Sequence, residues 1–61
     1  MKLKELRARC SMTQTELGKV AGVTNRTVAR WESGRADMSF KAAVKITRHL
    51  KISLEELVDE D

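Results

Sequence analysis

The 61-residue sequence contains no proline, one cysteine (Cys10) and only two aromatic residues, Trp31 and Phe40. A single thiol cannot form an intramolecular disulfide, and no secretory signal is visible, which together are typical of a reducing intracellular compartment. The longest apolar runs reach only a few residues, far short of the roughly 20 that a membrane-spanning helix needs. We therefore expect a cytoplasmic protein with no membrane partner.

Indications of β-strands are equally scarce. Valine and isoleucine occur singly rather than in alternating blocks, and no Asn-Gly or Asp-Gly pair marks a hairpin turn. A chain of this length forms one domain with a small core. The sequence therefore predicts a single all-α domain over residues 1–61.

The net charge of +3 is unevenly distributed. Residues 1–51 contain all twelve Lys and Arg and four acids, whereas the last ten residues contain five acids and no base. A basic body suits a polyanionic partner, although many helical proteins without such a partner are also basic. The acidic end, with its short tail at residues 59–61, either keeps the terminus soluble or keeps a polyanion away from that face.

Apolar spacing and capping residues predict five helices separated by short turns. The first covers roughly residues 2–10, and the second begins at Thr13 with the form of a capping box and ends at Gly22. The third follows Thr24 and covers about residues 25–33. The fourth covers about residues 40–50, and a second capping box at Ser53 opens a short fifth helix.

The inward faces of these helices follow from the same spacing. Helix 1 places Leu3, Leu6 and Cys10 on one face, so Cys10 is predicted to be a small core residue. Arg7 lies on that face too, and its guanidinium therefore needs a partner. Helix 4 has a predicted buried stripe of Phe40, Ala43, Ile46, Thr47 and Leu50.

Residues 14–33 contain the most informative pattern. Two short helices are joined by a turn of three or four residues centred on Gly22, and such a turn forces them to cross steeply. Gly18 supplies a small residue where the helices would touch. Apolar residues face the junction, namely Leu17, Ala21, Val23, Val28 and Trp31. The combination predicts a DNA-binding helix-turn-helix.

The outward face of helix 3 has residues suited to the major groove. Arginine can bind guanine O6 and N7 together, and asparagine can bind adenine N6 and N7. The alternative is an ordinary solvated surface, but the preceding turn favours base contact. This face comprises Asn25, Arg26, Thr27, Ala29 and Arg30.

At these positions the sequence resembles the Cro/repressor-type (XRE family) helix-turn-helix domains over nearly its whole length. The resemblance rests on MTQTELG (residues 12–18), AGVT (21–24), VARWESG (28–34) and LKISLEEL (50–57). It implies a five-helix, lambda-repressor-like bundle that binds operator DNA as a two-fold dimer. We accordingly expect a bacterial or phage repressor that binds a palindromic operator with helix 3 in the major groove.

The resemblance also implies roles for individual residues. The residues matching base contacts are Gln14, Asn25, Arg26, Thr27 and Arg30, and Gln14 also matches a residue that bonds phosphate and braces the recognition helix. The residues matching phosphate contacts are Thr13, Ser33, Arg35, Ser39, Phe40 and Lys41. Arg7 and Glu32 match a salt bridge between helix 1 and the end of helix 3. No cofactor, metal or small-molecule ligand is implied.

The sequence leaves the roles of several other positions open. Met38, Leu54 and Val58 either form a dimer interface or complete the monomer core. Lys51 stands where the family usually has glycine, so the turn there is expected to be strained or differently shaped. Met38 stands where proline is common, which weakens the prediction for residues 35–38.

Two other functions are alternatives to DNA binding. A protein-interaction module, such as an antitoxin or partner-binding regulator, could use the same fold, but its surface would usually be more apolar than the Arg26 and Arg30 face. An enzyme is not expected, because no nucleophile set or Gly-rich phosphate loop is present. His49 has no Cys or His at metal-binding spacing.

Overall fold

The computed structural model describes residues 2–58, without the side chain of Val58; the acidic tail predicted at residues 59–61 lies outside the described residues. The chain forms five helices, α1 (Leu3–Arg9), α2 (Gln14–Ala21), α3 (Asn25–Glu32), α4 (Phe40–Leu50) and α5 (Leu54–Val58), and no strand occurs within residues 2–58. The predicted all-α, five-helix class is therefore confirmed. None of the described helices is long and apolar enough to cross a membrane.

Hydroxyl side chains begin four of the helices. The Thr13 hydroxyl accepts from the Glu16 amide at 3.0 Å, and the Glu16 carboxylate accepts from the Thr13 amide at 2.8 Å, which completes the predicted capping box. Three more hydroxyls accept a single amide of the first turn in the same way. They belong to Thr24, Ser39 and Ser53.

One motif closes helices α1 to α4. An amide beyond the helix donates to the carbonyl five residues earlier: Met12 to Arg7, Val23 to Gly18, Arg35 to Arg30 and Ile52 to Thr47. This closure needs a left-handed residue just before the donor, which glycine adopts most easily. Gly22 and Gly34 meet this need with φ of 79° and 80°, whereas Ser11 and Lys51 adopt φ of 57° and 59°.

The core lies where the five helices meet. α2 packs on both α3 and α4, and α5 packs on α4 and α1. The Lys2 amide donates to the Leu57 carbonyl at 3.2 Å and so ties the start of the chain to α5. The buried side chains are Leu3, Leu6, Leu17, Ala21, Val28, Trp31, Ala42, Ala43, Ile46 and Leu57.

The prediction that Cys10 is a core residue is wrong, because its thiol is exposed. α1 ends at Arg9, and Cys10 is its C-terminal cap, followed by the left-handed Ser11. The helical spacing from Leu3 and Leu6 therefore stops before Cys10, and the chain turns away from the core.

The prediction that Phe40 belongs to the buried stripe of α4 is also wrong. Its side chain is 73% exposed. Phe40 is the first residue of α4, where the helix begins outside the core, and Ala42 takes the buried position on that turn. The rest of the stripe follows the prediction, with Ala43 and Ile46 buried and Thr47 and Leu50 half-buried.

Candidate nucleic-acid interface

Gly18 sets the crossing of α2 and α3. A Cβ built on Gly18 would lie 2.6 Å from the carbonyl oxygen of Val23, and 3.2 Å from the carbonyl carbon of Thr24. Both atoms belong to the backbone and cannot rotate away. The Val23 amide in turn donates to the Gly18 carbonyl at 2.8 Å. The close approach predicted for Gly18 is therefore present, and it holds α3 against α2.

The inner face of α3 is fixed by packing. Val28 is fully buried and Trp31 is 5% exposed, so both side chains anchor the helix to the core. Thr24 caps its first turn, accepting from the Thr27 amide at 3.3 Å. Packing on one side and capping at the start leave the orientation of α3 little freedom.

The opposite face of α3 is exposed and positively charged. Asn25, Arg26 and Arg30 are all exposed, and Ala29 between them is half-buried. Within residues 2–58 neither guanidinium forms an ion pair. Thr27 is half-buried, and its hydroxyl lies 3.3 Å from that of Thr24. Among residues 2–58 the two arginines therefore keep all their donors for an external acceptor, whereas the Thr27 hydroxyl already shares a hydrogen bond with the Thr24 hydroxyl.

A polar cluster joins α1, α2 and the end of α3. Arg7 Nε donates to Glu32 Oε2 at 2.6 Å, and Arg7 Nη2 donates to Glu32 Oε1 at 3.3 Å. Arg7 Nη1 donates to the Met12 carbonyl at 2.8 Å. The Arg7 and Glu32 side chains are only 15% and 6% exposed. The partner that Arg7 needs on the inward face of α1 is therefore Glu32.

Two opposing influences act on the pKa of Glu32. Burial raises it, because a buried carboxylate loses its hydration. The hydrogen bonds from Arg7 and Gln14, together with the positive charges of Arg7 and Lys4, lower it by more. The net result is a pKa below the ordinary value of 4.5, so Glu32 is a carboxylate at neutral pH.

Gln14 differs from the other residues predicted to contact bases. It is half-buried at the start of α2, and its Nε2 donates to Glu32 Oε1 at 3.0 Å. The contact brings the N-terminus of α2 to the C-terminus of α3. This geometry matches the bracing role, and the position of Gln14 depends on Glu32.

The six residues predicted to contact phosphate are all exposed and fall into two groups. Thr13 stands beside Gln14, near the end of α3, where Ser33 and Arg35 follow the helix. The Ser33 hydroxyl donates to the Arg30 carbonyl at 3.2 Å. The second group, Ser39, Phe40 and Lys41, forms the first turn of α4. Thr13 and Ser39 also cap their helices, so both have a structural task besides the predicted contact.

The predicted dimer residues do not share one environment. Leu54 is 40% exposed, whereas Met38 is half-buried against the core. The Val58 side chain lies outside the described residues. Of the two alternatives, the exposure of Leu54 is compatible with an interface, whereas Met38 contributes mainly to the monomer core.

One cationic feature was not identified from the sequence. Lys45 of α4 reaches the turn between α2 and α3, where its Nζ lies 3.5 Å from the position that a Cβ on Gly22 would occupy. The spacing of Lys41, Lys45 and Arg48 along α4 could have indicated a basic stripe. Within residues 2–58, no three His, Cys, Asp or Glu side chains come close enough together to hold a metal ion.

Comparison with known proteins agrees with this architecture. A family model described as helix-turn-helix matches residues 3–57. An uncharacterized HTH-type transcriptional regulator of Archaeoglobus fulgidus is 39% identical over 56 residues, covering 92% of this chain and 79% of that protein. The HTH-type regulator YgzD of Bacillus subtilis is 41% identical, covering 92% and 85%, and one from Methanocaldococcus jannaschii is 38% identical with the same coverage. No solved structure matches the chain.

Proposed function

The chain belongs to the helix-turn-helix family of DNA-binding transcriptional regulators, a family of regulators rather than of enzymes. We propose that it represses transcription by binding a two-fold-symmetric operator, with α3 in the major groove. The single observation that supports this most is the exposed face of α3, where Asn25, Arg26 and Arg30 stand opposite the buried Val28 and Trp31. A packed helix whose outer guanidinium groups form no ion pair within residues 2–58 suits contact with base edges.

Phosphate contacts would hold α3 in register. Thr13, Ser33 and Arg35 lie at one end of α3, and the first turn of α4 presents Ser39, Phe40 and Lys41. Main-chain amides at a helix start favour an anion, and exposed Arg and Lys add charge. In this proposal Gln14, braced by Glu32, meets the DNA backbone or an adjacent base.

A dimer supplies the affinity that one domain lacks. A single module of this kind buries about 600–1,000 Å² on DNA, so two copies bound to half-sites about 10 bp apart double the contact. Leu54, exposed on α5, is the described residue best placed for that interface, and Val58 follows it four positions later in the sequence. A dimer bound over a promoter would exclude polymerase, which is the basis for proposing repression.

The cellular compartment in which the protein acts follows from DNA being its proposed ligand. A regulator of transcription works in the compartment that contains the chromosome, which in a prokaryote is the cytoplasm. A bacterial or phage source stays a prediction, since relatives come from archaea as well as from a bacterium.

Binding selection from a random duplex pool tests the proposal. Wild type should enrich a two-fold-symmetric sequence with guanines in each half-site, and an Arg26→Ala, Arg30→Ala double variant should lose this enrichment. An Arg9→Ala variant, which removes an exposed charge from α1, serves as the control and should enrich the same sequence.

The opposite result would favour a protein partner. If wild type enriched no sequence and its binding to DNA hardly changed with salt, the α3 face would not be a DNA-binding surface. Phosphate contacts make the logarithm of affinity fall steeply with the logarithm of salt concentration, whereas protein contacts respond less.

A further inference from the structure

The outward face of α4 bears a line of cations that starts within the predicted phosphate-contact group at its first turn and continues past it. Lys41, Lys45 and Arg48 follow the i, i+4, i+7 spacing that places side chains on one face of a helix. All three are exposed, and the helix contains no acidic residue. We call Lys41, Lys45 and Arg48 the α4 stripe.

The charges of the α4 stripe are not neutralised within the described fold. No ion pair or side-chain hydrogen bond involves any of the three among residues 2–58. The stripe also lies away from the core, since Ala42, Ala43 and Ile46 are the buried residues of the same helix. Three cations without an ion-pair partner in the described part of the chain, on about two turns of helix, form a surface suited to a polyanion.

Lys45 connects the stripe to the helix-turn-helix. Its ammonium lies beside Gly22, the C-terminal cap of α2 in the turn that leads to α3. The stripe is therefore continuous at one end with the first turn of α4, and in its middle with the turn that precedes the recognition helix. A partner seated on α3 and on the start of α4 would pass next to Lys45.

We propose that Lys45 and Arg48 contact the phosphate backbone at the edge of the groove that α3 occupies, extending the interface along α4. This inference rests on the proposed DNA binding and adds two residues to it. The occupant is duplex DNA rather than an acidic protein, because the stripe continues the surface that we propose binds DNA and its charge complements phosphate. A phosphate contact strengthens binding to every sequence equally, so these residues add affinity without adding sequence preference.

The test is the salt dependence of binding to a selected duplex and to a scrambled one. A Lys45→Gln, Arg48→Gln variant should reduce the slope of log K against log salt by about 1.8 per protomer, since each phosphate contact contributes about 0.9. The affinity for both duplexes should fall by the same factor. The ratio of the two affinities should remain that of wild type.

Two matched variants separate contact from other effects. Arg9→Gln with Lys19→Gln removes the same charge from exposed positions on α1 and α2 and should leave the slope near that of wild type. Lys45→Arg with Arg48→Lys retains the charge and should retain the slope. Thermal melting of each variant checks that the fold is preserved.

The outcomes distinguish this inference from the function on which it rests. A slope that is unchanged by Lys45→Gln, Arg48→Gln, or changed equally by the Arg9→Gln, Lys19→Gln control, would overturn the inference while leaving DNA binding by α3 intact. Wild-type protein that binds neither duplex would overturn both. A fall in the ratio of affinities would mean that the stripe acts on sequence preference, which also contradicts a backbone contact.

Discussion

Arg7 of α1 and Glu32 of α3 form a two-point contact, with Nε to Oε2 at 2.6 Å and Nη2 to Oε1 at 3.3 Å. Glu32 is the last residue of α3, and its Oε1 also accepts from Gln14 of α2. One carboxylate thus ties three helices together at the base of the candidate DNA-binding surface. The stability of the domain and the geometry of that surface consequently depend on the same group.

Removing this carboxylate should destabilise the domain strongly. Glu32→Ala leaves the largely buried guanidinium of Arg7 without its partner, and such a change costs about 3–5 kcal/mol. The total free energy of unfolding of so small a domain is of the same order. Urea denaturation should therefore show a large drop in the unfolding midpoint of Glu32→Ala. The control is Glu55→Ala, at an exposed position of α5, whose midpoint should stay near that of wild type. An unchanged unfolding midpoint for Glu32→Ala would disprove the structural role of the pair.

The lowered pKa of Glu32 predicts a loss of stability in acid. Because the pKa is lower in the folded state, the unfolded state binds the proton first as pH falls. The stabilisation is complete above the ordinary value of 4.5, and it is lost as pH falls through the lowered folded value.

The comparison with Glu32→Gln isolates this effect from other acids. The difference in unfolding free energy between wild type and Glu32→Gln should be largest at neutral pH and should shrink below pH 4.5. Glu55→Gln, which removes an exposed carboxylate, should differ little from wild type throughout. A Glu32→Gln difference that is constant with pH would show that the ionised carboxylate is not what stabilises the fold.

Gly18→Ala should destabilise the domain although alanine favours helix. The helix propensity gain is about 1 kcal/mol. Against it stands a Cβ placed 2.6 Å from the Val23 carbonyl oxygen, and overpacking of this kind costs roughly 1–3 kcal/mol or more. Thermal melting should show a lower Tm for Gly18→Ala, whereas Thr15→Ala, at an exposed position on the same helix, should be neutral or slightly stabilising. A raised Tm for Gly18→Ala would contradict the close approach of Gly18 to the Val23 carbonyl.

Lys51→Gly, unlike Gly18→Ala, should stabilise the domain. Lys51 adopts φ of 59°, which costs a residue with a Cβ about 1–2 kcal/mol relative to glycine. We expect a net gain of about 1 kcal/mol, measured by urea denaturation. The same replacement inside α4, Lys45→Gly, should lose about 1 kcal/mol. Equal losses at the two positions would contradict the left-handed closure of α4.

Local chemistry accounts for what could be predicted from the sequence. The capping box at Thr13, the left-handed Gly22 and the close approach at Gly18 each depend on residues a few positions apart, so their patterns are visible in the chain. The exposed α3 face follows from helical spacing in the same way. These features were enough to predict the helix-turn-helix.

The failures share a different cause. Helical spacing continued to the end of a helix predicts a buried Cys10 and Phe40, but burial there depends on where the helix stops and the chain turns. The closures at Ser11 and Lys51 use residues without the usual preference for left-handed backbone. The Gln14 to Glu32 contact spans 18 positions and depends on the crossing of α2 and α3, which no local pattern specifies.

The central claim is that the outer face of α3 confers sequence specificity, and the affinity ratio between a selected operator and a scrambled duplex tests it most directly. The ratio should fall towards one in the Arg26→Ala, Arg30→Ala variant. An arginine that binds guanine O6 and N7 together contributes about 1–3 kcal/mol of discrimination against other bases. It should be retained in an Arg9→Ala control. If the double variant kept the wild-type ratio while remaining folded, α3 would not be the helix that recognises the operator.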